Sequence, residues 1–315
     1  MATITSRTPS RVAVSQVAKR SYRVAREIPF IPFLMLAVLV FVAVFAPAIA
    51  PYSQLDPVTP TREQCLARYG VANCPYVDNV PPFWDPQGSF DTPLGTDFLG
   101  RDVLSRLMYG ARISLVVALT GTLAAGAIGT SLGVLAGYLG KWWDQIIMRV
   151  TDAWLTLPSL VFAILLSSVR GPGLWNVVFI LALVFWSRYA RVVRGDVLAL
   201  RERDFVKLAE VNGVSKLRII SRHLFPNVMN TVMVVFSLQV GVAVIIEASL
   251  SFLGVGVPPP EPSWGLMMAQ EREALMVGRW WLAVFPGICI AMLVLSANML
   301  GDWLRVHLDP QLRNR

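Results

Sequence analysis

Six stretches of this sequence run for 17 residues or more without a charge: Ile28–Ala50, Ile113–Gly140, Ala153–Val169, Gly171–Ser187, Leu224–Ile246 and Trp280–Gly301. A helix crosses the hydrocarbon core with about 20 apolar residues, and backbone in that layer must satisfy its own hydrogen bonds. The chain is therefore expected to be an all-α membrane protein with six transmembrane helices. The third and fourth stretches sit at the short limit. Between them, Arg170-Gly171-Pro172-Gly173 predicts a tight hairpin. Charged residues make up 15% of the chain, against about 25% in soluble domains, as expected where long segments face lipid.

Orientation follows from the distribution of the +8 net charge. With the amino terminus in the cytosol, inner segments hold 20 Lys and Arg and outer segments hold 8. The positive-inside rule favours this arrangement, with both termini cytosolic. The basic excess is thus a topology signal, not a nucleic-acid footprint. The first uncharged run exceeds a signal-peptide core of about 7–15 residues, so it is expected to stay as an anchor. The organisation expected is a cytosolic tail (1–29), a first span (30–50), an outer segment (51–111), a five-helix core (112–303) with a cytosolic loop at 188–226, and a cytosolic tail (304–315).

In the outer segment, Val103, Leu104, Leu107 and Met108 share one helical face. This suits a short helix lying in the outer interface, or one packed on protein. Cys65 and Cys74 face an oxidising compartment with a Gly70-containing turn between them, and a disulfide is expected there, with two free thiols as the alternative. Gly121, Ala125, Gly129, Gly133 and Gly137 form a small-residue stripe suited to close helix packing, or to a solute path.

On the inner side, Asp196 to Asn212 reads as a helix. Gly213 permits a reversal, and Ser215 is a candidate N-cap for a second helix to His223, with Pro226 opening the next span. Two short helices about a glycine make a surface suited to a cytosolic partner. Enzyme chemistry finds little support: His223 and His307 are the only histidines and form no metal-spaced pair, so neither a catalytic nor a metal site is expected. There is no Gly-x-x-x-x-Gly-Lys-Ser/Thr loop, and Gly140-Lys141-Trp142 lacks both the hydroxyl and the earlier glycine. A gradient-driven transporter would carry ionisable groups in several spans, whereas here Glu247 stands alone.

At Phe205-Val206-Lys207-Leu208-Ala209-Glu210-Val211-Asn212-Gly213, followed by Arg222-His223-Leu224-Phe225-Pro226-Asn227, the sequence resembles the cytoplasmic EAA loop of binding-protein-dependent ABC importer permeases. Ala209, Gly213 and the His-x-x-Pro match that pattern, while Lys207 and Leu208 depart from Glu-Ala. Leu94 to Asp102, Arg106 to Ser114, Glu247 to Gly254, Pro262-Ser263-Trp264-Gly265 and Leu308 to Arg313 resemble the dipeptide, oligopeptide and nickel branch, whose second permease this chain looks like. The resemblance implies a type I importer permease fold. It implies as partners a second homologous permease, two ATPases that bind ATP and Mg, and an outer substrate-binding protein. This chain itself needs no cofactor. Phe205, Leu208, Ala209, Gly213 and Ser215 are then the candidate ATPase-coupling residues. Short peptides are the expected cargo, and nickel, glutathione or haem are alternatives. Glu247 belongs to the outer part of the fifth span and should face the protein interior or water. Two readings stay open for it: a gate that attracts a peptide's amino group, or a hydrogen-bonded lock on the Leu250–Gly254 turn.

Overall fold

The computed structural model describes residues 30–59, 65–66, 70, 74 and 78–308. The expected cytosolic tail and the Leu308–Arg313 motif fall wholly or mainly outside them. Among the described residues all regular structure is helical, with two isolated bridges in the outer segment. The helices are α1 (Phe30–Ile49), α2 (Val103–Leu139), α3 (Lys141–Leu155), α4 (Ser159–Arg170), α5 (Leu174–Arg201), α6 (Asp204–Val211), α7 (Lys216–Ile219), α8 (Phe225–Phe252), α9 (Trp264–Gln270), α10 (Arg272–Met276) and α11 (Trp281–Leu308). Five helical runs are long and apolar enough to cross a membrane, and α3 with α4 makes a sixth if the bent pair counts as one span.

The core lies where α1, α2, α5, α8 and α11 meet, around Leu39, Leu115, Phe185, Val244 and Leu293. α1 turns Phe33, Phe41 and Phe45 outward, as suits a helix whose solvent is lipid. The small-residue stripe of α2 packs on α5. A methyl group at Gly129 would stand 2.2 Å from the Trp186 carbonyl oxygen, and one at Gly133 2.7 Å from that of Ala190. Of its two readings, close packing is the one the geometry carries.

Three expectations change. The helix expected in the outer interface is instead the first turns of α2. Asp102 caps it by accepting from the Ser105 amide at 2.7 Å, and Gly110 lets the indole of Trp264 lie against the helix, so nothing interrupts it before the span. The third stretch is not one helix: α3 and α4 meet at 92°, where Pro158 follows a broken turn. α3 is held to α5 by a two-pronged Asp144–Arg194 pair (2.5 and 2.7 Å) and by Asp152–Arg191. Finally, the expected Asp196–Asn212 helix is split at Glu202–Arg203, because α5 continues as far as Arg201. The predicted hairpin at 171–173 is present, with Gly171 at φ 87°.

Candidate functional site

Chemistry-bearing residues gather at the two ends of the helix bundle. At the inner end, α6 closes in a Schellman motif: Val214 N–H donates to Ala209 O and Gly213 N–H to Glu210 O, both at 3.0 Å, with Gly213 at φ 72°. Ser215 begins α7, but its hydroxyl makes no capping bond. A wide turn over Ile220–Leu224 then carries the chain into α8. There Phe225 N–H reaches back to Ile220 O, resetting the ladder just before Pro226, which has no N–H to give. The second helix and the fifth span thus form one continuous body from Lys216 to Phe252.

α6 has two apolar faces. Val206 and Ala209 pack inward with Val134, Tyr138, Val193, Val197, Ile219 and Leu224. Phe205, Leu208 and Val211 face out at 41%, 60% and 84% exposure, joined by Leu217 at 77%. Of the five candidate coupling residues, Phe205, Leu208, Gly213 and Ser215 are exposed. Ala209 is the exception: at 9% exposure it packs inward, between α6 and the bundle. Val211 and Leu217 belong to the exposed face and were missed. The helical spacing of Leu208 and Val211 was the signal for the first. Lys207, at the departing motif position, pairs with Glu202 at 2.9 Å on the surface, and Glu210 hydrogen-bonds the Tyr138 hydroxyl.

At the outer end, Glu247 is fully buried. Its Oε2 accepts from Ser114 Oγ and its Oε1 from Ser251 Oγ, each at 2.9 Å, and Ser263 supplies a third side-chain bond. The partners are hydroxyls of α2, α8 and the α9 cap. Ser263 Oγ also accepts from Leu266 N–H, and Ser251 Oγ accepts from Val257 N–H. α8 ends one turn later in a second Schellman motif at Gly254, with Val255 N–H on Leu250 O at 3.0 Å. Glu247 therefore ties three elements together.

Nearby lies a buried ionic cluster. Asp97 Oδ1 accepts from the amides of Leu99 and Arg101, while its Oδ2 takes Arg101 Nε at 2.7 Å and Arg106 Nη1. Arg106 Nη2 donates to Gln270 Oε1 at 2.9 Å, and Phe98 N–H to Glu271 Oε1 at 3.3 Å. Burial pushes the Glu271 carboxyl up to about 7, with Asp97 adding to the rise. Periodicity gave no sign of this cluster, since its halves lie 164 and 173 residues apart. Cys65 and Cys74 are joined as a disulfide, Cα atoms 5.6 Å apart.

Comparison with known proteins adds an independent line. Residues 129–314 match the family described as binding-protein-dependent transport system inner membrane component. The chain is 38% identical over 281 residues to the di/tripeptide transport system permease protein DppC of Pseudomonas aeruginosa, covering 89% of this chain and 87% of that one. It is 40% identical over 221 residues to the glutathione transport system permease protein GsiD of Pectobacterium atrosepticum, covering 70% and 73%. Among solved structures, an inward-facing form of the methionine ABC transporter MetNI aligns with TM-score 0.53 at 14% identity over 65% of this chain and 96% of that one, a likeness of fold. Helical architecture, motif order and relatedness agree, and the chain belongs to the family of binding-protein-dependent transport system inner membrane components.

Proposed function

We propose that this chain is one of two related permeases in an importer of short peptides, driven by two separate ATPases that carry ATP and Mg and fed by an extracytoplasmic binding protein. The observation that carries the reading is the similarity to a di/tripeptide permease along 89% of the chain. The apolar face of Phe205, Leu208, Val211 and Leu217 supports the ATPase contact, because a face of that kind on a short surface helix is stabilised by a covering partner. In this reading the protein sits in the cytoplasmic membrane, with both termini and α6 on the cytosolic side. Glutathione is the second reading, favoured by the GsiD relatives, and is itself a small peptide. The test is ATP-dependent uptake into proteoliposomes that hold the complete complex. Dipeptide should accumulate only with ATP, binding protein and all membrane partners present. Uptake by the isolated chain on an ion gradient would overturn the proposal.

A further inference from the structure

Arg188 stands near the middle of α5 and Gln239 near the middle of α8, each helix being 28 residues long. The two side chains meet about 20 Å from the ends of their helices, where α5 leaves its uncharged run (Gly171–Ser187) and enters its charged inner half. A cation at the edge of an uncharged run is costly unless it meets a counter-charge or an aqueous path. The next two arginines along α5 are neutralised, Arg191 by Asp152 and Arg194 by Asp144. Arg188 is not. Its Nη1 donates to the neutral Gln239 Oε1 at 3.2 Å, its guanidinium lies 5.6 Å from the Phe185 ring centre, and it has no ion-pair partner among the described residues. Gln239 is 94% buried, yet its Nε2 has no hydrogen-bond partner. Both side chains line one cleft of about 340 Å³, walled by Leu155, Val192, Val235 and Leu238 and edged by Arg191.

A half-buried guanidinium with donors to spare, an amide N–H without an acceptor and largely apolar walls edged by a second arginine together describe a receptor for a carboxylate attached to a small organic body. We propose that Arg188 and Gln239 form a carboxylate-reading site on the inner part of the translocation path, which holds the terminal carboxylate of a peptide in transit. This rests on the peptide-import reading and adds the chemical group that the permease recognises. Gln239 orients the guanidinium through Oε1 and offers Nε2 as a further donor.

The test compares uptake of alanyl-alanine and of its carboxamide by the complete importer in proteoliposomes. Wild type, Arg188→Gln and Arg188→Lys are each measured with the same binding protein. Loss of one charge-assisted contact predicts that Arg188→Gln lowers uptake of the free acid by about tenfold or more and that of the carboxamide by less than about twofold. Arg188→Lys keeps the charge and should fall between. Equal losses for both substrates, or none for either, would overturn the assignment. So would a complex that loses its partner permease with Gln at this position and regains it with Lys, because a partner carboxylate would then be the true counter-charge. Wild-type complex that imports neither compound would defeat the peptide reading first, and the proposed ligand with it.

Discussion

The inner and outer ends of the bundle solve opposite problems with the same kind of helix terminus. Each has a helix that stops at a glycine in a Schellman motif, Gly213 after α6 and Gly254 after α8. Around Gly254 the polar groups are buried and joined to one another: Glu247 with three serines, Asp97 with two arginines. Around Gly213 they are exposed, and the apolar side chains beside them have no cover. A buried ionic group is costly when left alone and tolerable when paired. The outer end thus pairs its buried charges within one chain. The inner end leaves its apolar face uncovered.

Removing a partner inside the outer cluster should produce the largest effect. Asp97→Ala leaves Arg101 and Arg106 buried without their carboxylate, and should cost about 3–5 kcal/mol. Thermal unfolding of the purified protein in detergent measures this. An unchanged midpoint would break the contrast between the two ends. Glu247→Leu comes next, stripping the acceptor from three hydroxyls at about 1–3 kcal/mol. Glu247→Gln separates the two roles: a lock tolerates the amide in both stability and transport, whereas a gate for an amino group assembles normally and stops transporting. Full transport by both variants would leave the carboxylate without either role. At the inner end, an added Cβ at Gly213 meets no atom within 4 Å, so the main cost of Gly213→Val is backbone strain at φ 72°, about 1–2 kcal/mol. It should weaken co-purification of the ATPases while membrane insertion and the outer end stay intact. Normal co-purification and transport would count against α6 as the coupling surface.

The smallest expected effect is one of pH, and it sharpens the contrast. Glu271 holds its proton up to about 7 in the folded protein, against an ordinary value of 4.5. Between those values the folded state binds a proton that the unfolded chain has released. Its contribution to stability is therefore full below 4.5 and lost as pH rises through about 7. The unfolding midpoint of wild type should fall across that window more steeply than that of Glu271→Gln. Parallel curves would assign the pH response elsewhere.

The spans were legible because charge is excluded from lipid, and the uncharged runs mark α1, α2, α8 and α11 directly. The third stretch misled because α3 is amphipathic: its acids, Asp144 and Asp152, are spent on arginines of α5 that only the fold reveals. In the inner loop the elements were readable but the facing of α6 was not. With Phe205, Val206, Leu208, Ala209 and Val211 in seven consecutive positions, apolar side chains point both ways and periodicity has no preferred direction. Glu247 was legible as an anomaly, a single acid in an apolar run. Its hydroxyl partners were not, since Ser114 and Ser263 stood out only as members of separate motifs, with nothing in the sequence to pair either with Glu247.

The glycine seam between α2 and α5 has a mechanical meaning. Where Trp186 and Ala190 carbonyls meet Gly129 and Gly133 with no room for a methyl group, neither helix has the slack to slide along the other. The pair behaves as a single beam. One end of it leads into α6, the other into the Asp97 cluster. The angled joint at Thr156–Pro158, where α3 meets α4 without such a seam, is left as the compliant element beside it.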